Sequence, residues 1–288
     1  VPEAIGAAFS PHTARIQPAK LVSGLARAVE RHGVRIYENT PALTIRPGAV
    51  RTVNGDVRAA TVLRCTEGFT RDLPGQRRTF LPMNSSMLVT EPLPAGVWDA
   101  IGWAGREVLG DMAHAYLYAQ RTADDRIALG GRGVPYRFGS RLDVDGSTAA
   151  ATVRQLHRAL RRTFPQVRDA RIDHVWSGVL GVPRDWCSQV SFDPSTGLGH
   201  AGGYVGHGVA TANLAGRTLR DLVLGRQTDL TRLPHVNWSG RRWEPEPLRW
   251  LGVRAMYVAY RAADRQEARQ RAGTSWIAGA ADRVSGRA

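Results

Sequence analysis

Lysine is almost absent from this sequence. Lys20 stands alone, and every other basic residue is arginine. The formal net charge of +14 therefore comes from arginines scattered along the chain. A nucleic-acid surface needs basic residues clustered on one face, so no nucleic-acid partner is expected. Cysteine is scarce too. Cys65 and Cys187 lie far apart and are expected to be free thiols in a reducing, cytoplasmic compartment. There is no CxxC and no HExxH, so no metal site is expected. No apolar run approaches the ~20 residues that span a bilayer. Val1-Pro2-Glu3-Ala4 does not open a basic-then-apolar leader, so neither a signal peptide nor a membrane partner is expected.

What is present suits a folded α/β protein. Hydrophobic residues make up 43% and charged residues 22%, as in ordinary globular chains. Leu21, Val22, Leu25, Ala28 and Val29 recur at helical spacing, with Pro18 at the entry and Gly33 at the exit. This predicts a helix over 18–32. Residues 34–38 follow as a predicted strand. Residues 42–45 and 50–53 predict a hairpin around Pro47-Gly48, and 61–65 a short strand. Further strands are expected over 87–90, 115–120, 126–130 and 171–176. Tyr116 and Tyr118 alternate with Leu117, so they share one face. Ser147 is expected to cap a helix running to about Phe164. A strand over 198–204 then leads through glycines into a helix over about 208–224. The stretch 248–271 is basic and amphipathic, and 278–288 is expected to fray.

The most informative segment is Ala201-Gly202-Gly203-Tyr204-Val205-Gly206-His207-Gly208-Val209-Ala210. Glycines at 203, 206 and 208 let a flat ligand approach the backbone. The helix that follows presents unpaired amides and a partial positive charge at its start. That geometry stabilises an anion such as the N1–C2=O edge of a reduced flavin. An ordinary structural turn would also explain the glycines.

Other stretches narrow the choice. Gly-aromatic-x-Gly-His-Gly at 203–208, Ile16-Gln17-Pro18-Ala19-Lys20-Leu21-Val22, Thr66-Glu67-Gly68-Phe69-Thr70, 125–133, Asn213-Leu214-Ala215-Gly216-Arg217 and 243–250 occur in order. Together they resemble the D-amino-acid-oxidase superfamily of FAD-dependent oxidoreductases. Within it they are similar to the sarcosine and glycine oxidases, and most of all to the gamma-glutamylputrescine oxidase branch.

The resemblance implies an α/β (mixed α+β) fold: a partial Rossmann-like FAD-binding domain interleaved with an antiparallel or mixed-sheet substrate domain. It places parts of the FAD-binding domain at 1–75 and 191–234, the substrate domain at 76–190 and a helical extension at 235–288. It implies cofactor contacts at Ala42, Leu43, Thr66, Glu67, Gly68, Gly203, Gly206, His207, Gly208, Val209 and Ala210. Tyr116, Tyr118, Trp176 and His207 become candidates for contact with a small-molecule amine substrate, and Arg132 a candidate anion ligand. Each has a plainer reading as sheet packing, a core tryptophan or a turn residue.

The implied reaction oxidises a C–H bond beside an amine nitrogen. Hydride passes to flavin N5, the imine hydrolyses, and oxygen reoxidation yields peroxide. The sequence identifies no acid–base residue. Relatives with a tethered flavin carry a cysteine at a position that neither Cys65 nor Cys187 matches, so FAD is expected to be non-covalent.

No GxGxxG lies between an N-terminal strand and a helix in these 288 residues; the match at 197–202, Gly-Leu-Gly-His-Ala-Gly, falls largely within the strand predicted over 198–204. The family's fold begins with such a turn to hold the pyrophosphate. About half of the cofactor site is therefore expected to lie outside this sequence, and FAD binding to be weak without it. The missing half could come from another chain. A non-enzymatic reading is an inactive remnant or split-protein interaction module with exposed strand edges. On the flavoprotein reading, a ring-sized cleft is expected over residues 203–210.

Overall fold

A computed structural model describes Ala4 and residues 6–131, 135–142, 147–270 and 273–286. Its elements run α1 (Pro18–Arg31), β1 (Ala42–Arg46), β2 (Ala49–Thr52), β3 (Gly55–Arg58), β4 (Val62–Arg64), β5 (Leu81–Thr90), α2 (Ala95–Ile101), β6 (Leu109–Gly110), β7 (Leu117–Arg121), β8 (Ile127–Gly131), α3 (Ala150–Thr163), β9 (Ile172–Val182), β10 (Gln189–Asp193), β11 (Leu198–Gly202), α4 (Gly208–Val223), α5 (Leu248–Gln270) and α6 (Trp276–Ser285). They divide into two units. One comprises residues 1–16, 84–179 and 250–282; the other comprises 17–83, 180–249 and 283–288. The chain passes between units inside β5 and inside β9.

The unit containing residues 17–83 holds two small sheets. β1, β2 and β3 form an antiparallel meander. The second sheet has the order β10-β11-β4, with β10 and β11 antiparallel and β4 parallel to β11. The parallel step is the signature of an α/β layer. Ala215 and Leu219 of α4 pack on Val190 and Ala201 of this sheet. Gly199 permits the tight strand spacing, because a Cβ there would lie 2.6 Å from Leu63 Cδ2 and 2.9 Å from the Ser191 carbonyl.

The other unit is built on a five-stranded sheet of order β6-β7-β8-β5-β9. Burial alternates along β5: Ser86, Leu88 and Thr90 are buried, whereas Ser85, Met87 and Val89 are half-buried. Leu117 and Ala119 of β7 share the buried side with Leu88 and Leu129. Against it pack Leu156, Leu160 and Phe164, with the Trp103 ring stacked on Phe164 at 5.4 Å. Period-two burial on one sheet face against a helical stripe is the expected core of such a layer.

Three expectations are corrected. Residues 34–37 form no strand, because the described residues offer their backbone no partner strand. Ser147 does not cap α3. Ala149 does, without a side-chain bond. The tail does not fray over 278–286, since α6 forms there and buries Ala278 and Ala281. β10, which lacks a distinctive pattern, completes a sheet edge the sequence did not reveal. Among the described residues, no helix is long and apolar enough to cross a membrane.

Candidate functional site

The glycine segment is a strained turn joining β11 to α4. Gly203 has φ +76°, Val205 +53° and Gly206 +99°. A β-branched residue at positive φ is a genuine outlier, costing of order 1–3 kcal/mol that the surroundings must offset. Those surroundings are tight. Val205 is buried, and a Cβ on Gly203 would lie 2.4 Å from Pro183 Cγ and 3.2 Å from the Phe80 ring. Only glycine fits that position.

α4 begins at Gly208 with His207 as N-cap and no side-chain cap. The leading amides of Gly208, Val209 and Ala210 are thus open to an external acceptor, with the helix dipole behind them. Gly206, His207, Val209 and Ala210 are exposed. The expected ring-sized cleft is not among the cavities described. The cavities described, of about 430 Å³ beside Arg265 and Arg269 and about 320 Å³ beside Arg154 and Arg158, lie on α5 and α3. The turn instead offers one open wall to solvent.

Glu67 braces this turn. It has φ +43°, and its Oε1 accepts the Tyr204 N–H at 2.8 Å. Oε2 is buried with no well-formed hydrogen bond, though the Gly181 and Gly203 amides lie close enough to favour its charge. Burial outweighs those amides and Arg64, and pushes the Glu67 carboxyl above its ordinary range. Gly181 is glycine for a reason, as a Cβ would lie 2.0 Å from Glu67 Oε2. Thr66 and Gly68 flank this brace, and the Thr66 hydroxyl lies 2.8 Å from that of Thr70. Arg64 Nη1 donates to the same Thr70 oxygen at 2.7 Å. The sequence singled out Glu67 as a cofactor contact. It gave no sign that the carboxylate would reach the turn at 203–204.

Behind the turn, burial and the Arg64 charge push His200 down to about 4. Burial also pushes Tyr204 up to about 12. His200 is neutral in the folded protein at pH 7, while its unfolded counterpart protonates near 6.5. Its contribution is therefore fully present above pH 6.5. It is lost as pH falls from 6.5 toward 4, by on the order of 2 kcal/mol after allowing for partial exposure. Chemical denaturation of the protein and of His200→Phe at pH 7 and pH 4.5 should show the acid loss shrinking in the variant. An equal loss in both would reject the assignment.

The other candidates separate. Ala42 and Leu43 lie at the start of β1 in the same unit as the turn, half-buried and exposed respectively. Tyr116, Tyr118 and Trp176 belong to the other unit. The Tyr116 and Tyr118 rings lie 6.4 Å apart, Tyr118 Oη is 3.1 Å from Ser85 Oγ, and Trp176 stacks on His174 at 5.7 Å. Ser86 Oγ meets Ser177 Oγ at 2.8 Å. By alternation, Ser85, Tyr118 and Trp176 then share the opposite, half-buried sheet face. Gly130 makes room there, since a Cβ would lie 2.3 Å from Tyr118 Cζ. Arg132 lies outside the described residues.

His114, Asp264 and Glu267 bring possible ligand atoms within 4.8 Å of one another. These atoms are already engaged. His114 Nε2 lies 2.9 Å from Glu267 Oε1, Asp264 Oδ1 accepts the His114 N–H at 2.8 Å, and Glu267 Oε1 accepts the Ser275 N–H at 2.7 Å. The group ties α5 to the loop before β7.

Comparison with known proteins places this geometry in a class and then in a family. The crystal structure of glycine oxidase from Geobacillus kaustophilus superposes with a TM-score of 0.62 over 75% of this chain and 56% of that one, at 20% identity. L-proline dehydrogenase from P. horikoshii gives 0.61 over 74% and 57%, at 17% identity. The fold is that of these oxidoreductases. A family model described as FAD dependent oxidoreductase (DAO) matches residues 1–222, and the chain belongs to that family. The probable oxidoreductase OrdL of Rhizobium meliloti (strain 1021) is 31% identical over 239 residues, 78% of this chain and 50% of that protein. The gamma-glutamylputrescine oxidoreductase of Escherichia coli (strain K12) is 28% identical over 256 residues, 86% of this chain and 58% of that protein. The chain thus spans about half the length of the curated relatives it matches.

Proposed function

We propose that this chain supplies the ring-facing wall of a non-covalent flavin site in an FAD-dependent oxidation of an amine or amino acid. The observation that carries the reading is the strained turn at 203–206 feeding an uncapped helix. Strain of that kind persists where the surroundings hold it and marks functional turns. A flavin, when bound, supplies the acceptor for the electron pair of a C–H bond beside nitrogen. The chain's own work is electrostatic and positional. The Gly208, Val209 and Ala210 amides stabilise negative charge arriving at the helix start, and Glu67 holds the turn that aims them. The half-buried Tyr116, Tyr118 and Trp176 face is our candidate for contact with the organic part of an amine. Its aromatic surface suits a cationic or apolar group. The free thiols Cys65 and Cys187 fit a reducing, cytoplasmic setting.

A second reading is favoured by the open wall: the chain works as one part of a two-part protein and holds no flavin by itself. The two readings share a test. With its GxGxxG match at 197–202 taken up by β11 rather than opening a helix that would grip the pyrophosphate, the 288-residue chain should bind FAD scarcely better than lumiflavin, the bare ring. Both should bind in roughly the millimolar range, about 4 kcal/mol. Flavin fluorescence titration against Gly208→Asp, which places a negative charge at the helix start, checks the site. Weak binding lost in the variant supports the ring-facing wall. Binding unchanged by the variant refutes it. Stoichiometric, tight FAD binding would refute the need for a second part.

A further inference from the structure

Arginine is scattered along the sequence, but helical spacing gathers it on α3. Arg154, Arg158 and Arg161 stand at i, i+4 and i+7, which is one helix face, and all three are exposed. α3 carries no acidic residue. Two of its guanidiniums are held in place. Arg158 Nε donates to the Arg154 carbonyl at 3.3 Å, which folds its side chain back over the turn that carries Arg154. Arg161 Nε donates to the Arg168 carbonyl at 3.0 Å, which brings it to another exposed arginine. Each bond uses one donor of the fork and leaves the Nη hydrogens for another acceptor. No carboxylate takes them among the described residues. Elsewhere in the same unit arginines are paired: Arg106 and Arg121 meet Asp125, and Arg126 meets Asp173. Arg162, the remaining arginine of α3, has the Asp111 charge nearby. Arg154, His157 and Arg158 line a groove of about 320 Å³.

We propose that this groove binds a phosphate-bearing small molecule, with Arg154 and Arg158 on one phosphate and Arg161 and Arg168 placed for a second. Like charges at i, i+4 destabilise a helix, yet here a backbone hydrogen bond holds one arginine against the other. An anion that restores neutrality to the Arg154–Arg158 pair must bring two charges. A phosphate carries about −1.5 to −2 at pH 7 and has oxygens for more than one fork. A single carboxylate balances one guanidinium and leaves the other bare. A polynucleotide fits less well. α3 has no Phe, Tyr or Trp on which bases could stack, and its 14 residues present only a short basic stretch. The groove belongs to the unit with the five-stranded sheet, and the inference does not depend on the flavin reading.

The test titrates the 288-residue chain with inorganic pyrophosphate by calorimetry at low salt and without added flavin. The expected result is one-to-one binding that succinate, a dicarboxylate, does not reproduce at matched ionic strength. Arg154→Gln/Arg158→Gln should weaken pyrophosphate by about tenfold or more. Both positions are exposed, so this variant should keep its circular dichroism and melting temperature. Arg161→Gln should weaken pyrophosphate more than orthophosphate, because only the longer anion reaches the second pair. Arg31→Gln, which removes an exposed arginine from α1, should change nothing. Absence of pyrophosphate binding overturns the inference, as does binding that survives the double variant or that succinate equals. A short single-stranded oligonucleotide that binds where pyrophosphate does not overturns it too, and makes the face a polynucleotide surface.

Discussion

Gly203→Ala is expected to destabilise the protein by roughly 2–5 kcal/mol, combining a left-handed backbone penalty with overpacking. The residue has φ +76°, where a Cβ is disfavoured by about 1–2 kcal/mol before any contact is counted. The contact is with a proline ring, as the added Cβ would meet Pro183 Cγ at 2.4 Å. A proline ring cannot rotate aside, so the backbone must move. Gly206→Ala is the control. It shares a positive φ of +99° but is exposed, and should cost only the conformational part. Urea unfolding of both variants checks this. Equal losses would mean that the packing against Pro183 contributes nothing.

Glu67→Ala should cost about 1–3 kcal/mol, because it leaves the part-buried Tyr204 N–H without its carboxylate partner and frees the turn. The pH dependence tests the mechanism. Glu67 has a raised folded pKa, so its contribution is full below the unfolded value of about 4.3 and declines as pH rises through the folded one. The cost of Glu67→Ala should therefore be larger at pH 5 than at pH 8. A cost that grows with pH would mean that the amides of Gly181, Gly203 and Tyr204 outweigh desolvation. Amide exchange at Tyr204 should quicken in the variant whatever the pH. If it does not, Glu67 does not brace the turn.

Much of the architecture was legible because it depends on local pattern. Leucine and valine spacing marked α1. Pro47-Gly48 marked the β1–β2 turn. The glycines at 203, 206 and 208 marked the strained turn between β11 and α4. The misses have a common cause. Val34, Ile36 and Tyr37 read as a strand but remain unpaired, since a strand exists only with a neighbour to bond. β10 was missed for the converse reason: its pairing with β11 supplies order that its own residues do not announce. Ala278 and Ala281 bury α6 in a stretch that composition suggested would fray.

The sequence alone determined the family, through short motifs in a fixed order. That order is a property of residue type and spacing, which survives without coordinates. Tertiary structure alone decided that Glu67 reaches the turn at Tyr204, more than a hundred residues away. It alone decided that Val205 sits at positive φ, and that α1 presents its apolar face to solvent. Those facts depend on which distant backbones meet. Long-range pairing is fixed by packing and burial summed over a whole unit, and no local stretch of sequence carries that sum.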